Sequence, residues 1–477
     1  MTVKSVSIFK DTGSQIFAAV TGTLVAASDG MSFGWTSPMV PYLLSDESHI
    51  PTTETQAEWL ETISLIGAFC GLPFTIYFVD KIGRKKSLLL AAVVVLLNWI
   101  AIGLANRIEY IFVARFFAGM AGDMSFVAAP MYIAEIADSK IRGFLSSIIY
   151  IMMLLGLVFV YSLGPYTPFY SIPIVGCVLA SVQLLIYTFQ PASPYYLIYK
   201  NRPEEAKESL RRLRSAHADL DKELKEISAG IERQKTEKGR PQDLILVPSN
   251  RKAIIIMTVL NAGQHMASIS VMYMNLHPIL NAAGSIYLDN NITAIIFAVI
   301  MLLASTCACF TIDKFGRKII LIVSSFLSAL CLIALAVYFH LQYLHYDVSA
   351  VSWIPIASVL VYAAAFKYGL GLVPIVITAE IFPAKMKAIG MTVADVMFVI
   401  GGIISIQFYQ ILHKYGMHVP FYLFTVCAVG VLVFSAFCIP ETKGKSLEEI
   451  QLMLKGDKME KVEQRTGIEK KIELTGV

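Results

Sequence analysis

The feature that most constrains this chain is a recurring apolar window of about 20 residues, the length a helix needs to cross a hydrocarbon layer of about 30 Å. Six such windows fall near residues 15–37, 57–79, 87–106, 109–131, 143–164 and 168–190, and six more near 253–276, 289–312, 319–340, 352–379, 388–411 and 419–439. Inside lipid only helices or closed barrels satisfy every backbone polar group. The predicted fold class is therefore an all-α integral membrane protein with twelve transmembrane helices. Composition agrees: 477 residues that are 56% hydrophobic and 16% charged are too apolar for a domain surrounded by water.

The placement of charge says more than the net value of +4. Lys81, Arg84, Lys85 and Lys86, then Lys140 and Arg142, then Lys314, Arg317 and Lys318 occupy alternate loops, which should be cytosolic. The opposite loops are poor in Lys and Arg, and the long one from Thr36 to Gln56 carries Asp46, Glu47 and Glu54. Both termini are thus expected in the cytosol. Met1 to Ser14 is short and polar and precedes a run without a cleavage signature, so the first span is read as retained.

Four segments follow: an N-terminal bundle over 1–190, a charged linker over 191–252, a C-terminal bundle over 253–439 and a charged tail over 440–477. In the linker, Leu220, Leu224, Ile227 and Ile231 share one face at helical spacing, and Pro203 suits the first turn of a helix. Structured cytosolic helices are expected there.

Several function classes drop out. The scattered charge offers no nucleic-acid surface. The seven cysteines (Cys70, Cys177, Cys307, Cys309, Cys331, Cys427, Cys438) sit in apolar stretches, where thiols are expected to be buried packing groups with neither disulfide nor metal roles. No metal-spaced carboxylates, glycine-rich phosphate loop or nucleophile elbow is legible, so neither enzyme chemistry nor a cofactor is expected.

An internal repeat points elsewhere. Asp80-Lys81-Ile82-Gly83-Arg84-Lys85 after the second span returns as Asp313-Lys314-Phe315-Gly316-Arg317-Lys318 after the eighth. Ala134-Glu135-Ile136 after the fourth returns as Ala379-Glu380-Ile381 after the tenth, each Glu being followed seven residues later by a base, Arg142 or Lys387. Two homologous halves place a solute site at their interface, exposed alternately as one half rocks on the other. The glycines permit tight turns, each Asp suits a helix N-terminus, and each Arg reaches a carboxylate such as Glu135 or Glu380. Such pairs are candidates for a latch on the cytosolic side.

At these residues the chain resembles the sugar porter family of the major facilitator superfamily, over nearly its whole length. Arg115 with Gly119, Pro130-Met131-Tyr132, Arg142-Gly143 and Pro440-Glu441-Thr442-Lys443-Gly444 strengthen the resemblance. Gly34-Trp35-Thr36-Ser37-Pro38 is similar to the insect facilitated trehalose transporters. The resemblance implies the major facilitator fold, two pseudo-symmetric six-helix bundles, and alternating-access transport of a trehalose- or hexose-like sugar. It also implies a gating network of Asp80, Gly83, Arg84, Arg115, Glu135, Arg142, Asp313, Gly316, Arg317, Glu380 and Glu441. The family's Pro-Glu-Ser-Pro is Pro191-Ala192-Ser193-Pro194 here, so one latch carboxylate is missing.

By resemblance the substrate-binding residues are Gln264, His265 and Ser270 in the seventh span, Tyr150 in the fifth and Phe398 in the eleventh. His265 and Ser270 replace a second glutamine and an asparagine, while Met301, Lys367, Ile375 and Val399 stand where the family has other groups. Each sugar hydroxyl left unpartnered costs roughly 1 to 3 kcal/mol, which argues against glucose itself.

Asp29, Arg115, Asp123 and Lys367 are intramembrane charges, with Asp29 expected near Arg115 and Lys367 near Asp395. In proton-coupled relatives an aspartate of the first helix faces the arginine; that position is Met31 here, so facilitative transport is the primary expectation and proton coupling an alternative. Others are a carrier of a different solute and a non-transporting sugar sensor, which the short tail disfavours. The expected partners are the solute and the bilayer, a monomer suffices, and the resemblance suggests the plasma membrane. Asn291-Ile292-Thr293 fits a glycosylation acceptor close to the membrane.

Overall fold

The computed structural model describes residues 13–138, 141–214, 219–236, 240, 242–383, 386–445 and 447–455. Among them every element is helical. The N-terminal spans are α1 (Gly13–Leu43), α2 (Glu54–Lys81), α3 (Arg84–Gly103), α4 (Ile108–Ile136), α5 (Arg142–Leu163) and α6 (Ser171–Tyr187). After the linker come α7 (Pro248–Ala283), α8 (Asn290–Phe315), α9 (Arg317–Tyr343), α10 (Ser349–Thr378), α11 (Lys387–Leu412) and α12 (His418–Cys438). Eleven are long and apolar enough to cross a membrane, and α6, with 17 residues, is at the short limit. Twelve helices in two bundles result. The spans overrun the expected windows because polar first turns, such as the Thr53–Gln56 capping box that opens α2, extend each helix into the interface.

Lipid tails supply no hydrophobic drive between helices, so small residues let backbones approach. A Cβ at Gly119 of α4 would stand 1.9 Å from the carbonyl oxygen of Ser64 in α2, and one at Gly156 of α5 would stand 1.8 Å from that of Ala27 in α1. These contacts knit the first half. The cysteines do not share in such packing as expected: all seven thiols are free, only Cys331 is buried, and Cys70, Cys307 and Cys438 are exposed on outward faces that apolar side chains occupy equally well.

Two spans are broken. Helix α7 pauses at Ser268 (φ 78°) and α10 at Gly369–Leu372. Freed backbone groups need partners at membrane depth. The Tyr362 hydroxyl donates to the Ala267 carbonyl at 2.5 Å, and the Ser405 hydroxyl to that of His265 at 2.7 Å. At the second break Ser324 Oγ donates to the Ala365 carbonyl and accepts from Leu370 N–H. Both breaks lie beside the space between the halves.

Four helices, Pro194–Tyr199, Pro203–Leu213, Leu220–Thr236 and the single turn Asp243–Leu246, precede α7. Ile227 and Ile231 bury with Leu210, and Leu220 and Leu224 pack on them, so the expected apolar face has its partner within the same segment. Arg214 ties these helices to the end of α4, pairing with Glu223 at 2.6 Å and Asp138 at 3.3 Å and donating to the Ile136 carbonyl.

Candidate functional site

The two repeated loops adopt one conformation. Gly83 and Gly316 both have φ 87°, a region closed to side chains, and each begins the following helix. Arg84 pairs with Glu135 at 2.9 Å and Arg317 with Glu380 at 2.8 Å, and all four side chains are largely buried. Each pair joins a loop to a carboxylate of its own half, because the loop follows a helix packed against the one bearing that carboxylate. The two expected Arg–Glu pairs thus form, each as a brace within one half.

The aspartates also differ from expectation. Asp80 is exposed on the last turn of α2 and makes no side-chain hydrogen bond among the described residues. The Asp313 side chain lies outside the described part of the chain. The helix-end acceptor is instead Glu441, which receives N–H bonds from Arg317 (3.0 Å) and Lys318 (3.1 Å). Burial pushes its carboxyl up, but those bonds, a third from Lys443 N–H and the Arg317 charge outweigh burial and hold it below the usual range. Arg142 only donates to the Ala137 carbonyl at 3.2 Å.

On the face opposite these loops the halves are bridged. Thr36 Oγ1 of α1 donates to the Met274 carbonyl of α7 at 3.2 Å, and Ser37 Oγ sits 2.8 Å from His277 Nδ1. The Tyr161 hydroxyl of α5 donates to the Tyr273 carbonyl. Beside them Glu61 of α2, 3% exposed, accepts from Asn275 Nδ2 of α7 at 3.0 Å and Gln410 Nε2 of α11 at 3.4 Å. Gln407 donates to Thr62 Oγ1, and Lys414 pairs with Glu58 at the rim. This polar seal closes one face.

Below the seal, Arg115 of α4 is fully buried yet lacks the expected carboxylate partner. Its Nε donates to the Leu60 carbonyl and its Nη1 to the Ser32 carbonyl, both at 2.8 Å, and the guanidinium lies 5.6 Å from the Trp35 ring centroid. Among the described residues no carboxylate comes within 4.0 Å of it, and its Nη2 is buried without a partner; Glu61 and Asp29 act on it only as nearby charges. Asp29 instead sits over Gly122, and Asp123 accepts from Thr75 Oγ1 at 2.6 Å. The expected face of Arg115, Gly119 and Asp123 does form, turned toward α2. Lys367 also departs from expectation: it makes no ion pair with Asp395 among the described residues, and its Nζ lies 5.8 Å from the Tyr150 ring centroid. Asp395 is exposed on α11 inside the bundle, open to solvent.

Gln264, His265, Ser270 and Phe398 come together. The break at Ser268 turns Ser270 back so that its Oγ sits 2.6 Å from His265 Nδ1, and the Phe398 ring stands edge-on to the imidazole with centroids 4.1 Å apart. Gln264 Nε2 and His265 Nε2 are buried without partners. Tyr150 is apart from this group, against Phe126 and Lys367. Among the described residues no three His, Cys, Asp or Glu side chains converge for a metal.

Sequence reasoning missed the seal. Glu61, Asn275, His277 and Gln410 come from three helices far apart in the chain, and none stands in a motif; the only available signal was a carboxylate inside an apolar window.

Two six-helix halves around a polar interior, bridged on one face, define a membrane transporter rather than an enzyme. The family described as sugar (and other) transporter matches residues 15–454, and the chain belongs to it. It is similar to the facilitated trehalose transporter Tret1 of Bombyx mori, 28% identical over 445 residues that cover 92% of this chain and 86% of the relative. The Polypedilum vanderplanki protein of that name is 29% identical over 452 residues, covering 93% and 88%. Among solved structures, the proton:xylose symporter XylE bound to 6-bromo-6-deoxy-D-glucose shares the fold at TM-score 0.72 and 23% identity, over 93% of this chain and all of that one. An inward open XylE from E. coli aligns at TM-score 0.74 and 21% identity, covering 92% and 98%.

Proposed function

We propose that this transporter is a facilitative carrier of a neutral sugar, trehalose or a hexose-like molecule, in the plasma membrane. The observation that carries the reading is the pair of partnerless buried polar atoms, Gln264 Nε2 and His265 Nε2, beside the Phe398 ring. Buried polar groups are usually satisfied, and these two, on adjacent residues next to the α7 break, suit a hydroxyl-bearing ligand. Ser270 holds His265 in place; Tyr150 lines the cavity from the other half. The similarity to trehalose transporters supports the choice of sugar.

The basic loops and both termini are assigned to the cytosol by the excess of Lys and Arg there. The seal then faces outward, and the structure represents an inward-facing state. The bundles over 1–190 and 253–439 move against each other, the 191–252 helices and the 440–477 tail lie in the cytosol, and one monomer is sufficient. Arg84, Glu135, Arg317, Glu380 and Glu441 keep each half rigid during the rocking.

A second reading, proton coupling, is favoured by two intramembrane carboxylates at neighbouring positions, Asp29 against Gly122 and Asp123 accepting from Thr75. Uptake of labelled trehalose and a hexose panel into cells lacking their own carriers, with and without a proton gradient, tests both. Saturable uptake indifferent to the gradient is expected. Uptake that collapses with the gradient selects the second reading, and no sugar uptake by surface-verified protein refutes the sugar carrier.

A further inference from the structure

Above the seal, on the face away from the basic loops, lies a cavity of about 810 Å³ that the transport site does not use. It is lined by both halves: Tyr42, His49, Phe169 and Tyr170 from the first, His277 and Asn281 from the second. Its rings are already organised. Tyr42 stacks on Phe169 at 5.8 Å between centroids, His49 stands edge-on to Phe169 at 5.0 Å, and the Tyr42 hydroxyl is 3.1 Å from His49 Nδ1. The floor is His277, 3% exposed: its Nδ1 faces Ser37 in the seal, while its Nε2 has no partner.

We propose that this cavity is a second carbohydrate site, which holds a neutral sugar outside the closed seal. The volume falls in the range of about 300–1,000 Å³ typical of small-molecule sites. Aromatic faces suit the C–H faces of a sugar ring, and the Asn281 amide with the free imidazole nitrogen of His277 suits its hydroxyls. No Lys or Arg lines the cavity, which excludes an anion, and its one carboxylate, Glu47, stands exposed. An interfacial belt of aromatic residues explains exposed Tyr166 and Tyr170 but not a buried, partnerless histidine among the lining residues.

The site depends on the state of the carrier. Its walls belong to opposite halves and its floor residue is held by the Ser37–His277 contact, so it exists only while the seal is closed. A sugar bound there favours the closed-seal state by its differential affinity and is held at the mouth until the seal opens. The identity of the ligand rests on the sugar-carrier reading; the cavity itself does not.

The test is protection from labelling in intact cells. Glu47→Cys, exposed in the wall, is reacted with a membrane-impermeant maleimide with and without external trehalose, in the full chain and together with Gln264→Ala to disable the inner site. Labelling several-fold slower with trehalose in both backgrounds is expected, with protection weakened about tenfold in concentration when Tyr166→Ala and Tyr170→Ala are added, both of them exposed positions that leave folding intact. Protection that disappears with Gln264→Ala would show that it came from the inner site and would overturn the proposal. Protection by choline but not by trehalose would overturn it too, reassigning the rings to a cation. Trehalose uptake by the chain without Glu47→Cys is measured in parallel: normal uptake with no protection refutes the outer site alone, whereas protection without uptake refutes the carrier reading alone.

Discussion

The two repeated loops have the same sequence pattern, the same glycine conformation and the same Arg–Glu brace, yet they are closed by different means. In the second half Thr442 donates to Glu380, and its neighbour Glu441 caps the start of α9. In the first half Ser193 likewise donates to Glu135, but its neighbour is Ala192, and among the described residues no carboxylate caps α3. Tyr196 takes the vacant place: its hydroxyl donates to the Lys81 carbonyl, and its ring lies 5.7 Å from the Arg84 guanidinium and against Gly83. One half is closed by charge and the other by an aromatic ring. The brace is the shared part; the cap is replaceable.

That comparison can be broken at the brace first. Arg84→Ala leaves Glu135 buried without its cation and should cost about 3 kcal/mol, and Arg317→Ala somewhat less, since Glu441 still holds its loop. Hydrogen exchange at the first turns of α3 and α9 reads each half separately; equal losses would mean that the cap contributes nothing. Gly83→Ala and Gly316→Ala should each cost about 1–3 kcal/mol, because φ is 87° at both and the new Cβ meets Tyr196 at 2.6 Å or Glu441 at 2.7 Å. Melting of the purified protein checks this.

The cap itself gives smaller effects. Glu441→Gln should cost about 1–2 kcal/mol at neutral pH, in the second half only. Because the Glu441 carboxyl is held below its usual range, its contribution is fully present above about pH 4.3 and is lost as pH falls through the depressed native value. The gap between wild type and Glu441→Gln should therefore close in acid; a gap independent of pH would mean that the carboxylate charge is not the cause. Smallest of all, Ala192→Glu should add about 0.5 kcal/mol to α3. No gain would show that Tyr196 leaves no room for the carboxylate.

How much of this was legible in the sequence follows from how local each signal is. The twelve spans were legible because hydropathy is a property of a single window, and the braces because Arg84, Glu135, Arg317 and Glu380 recur in pattern. The missing cap was visible as Ala192, but its replacement was not: nothing local links Tyr196 to a loop more than a hundred residues earlier. The intramembrane charges misled for a related reason. Opposite signs at similar depth suggest pairs, yet Arg115 donates to two carbonyls and Lys367 rests over an aromatic ring. In the candidate sugar site, His265 meets Ser270 and Phe398, contacts that no local pattern encodes, while Tyr150 lies apart.

The most direct test of the central claim, that the partnerless polar pair in α7 takes the sugar, is trehalose uptake by Gln264→Ala at verified surface expression. The account predicts a fall of about fivefold to more than a hundredfold in uptake at low substrate, from loss of roughly 1–3 kcal/mol of hydrogen bonding. Uptake equal to that of the wild type would contradict it and move the sugar away from α7.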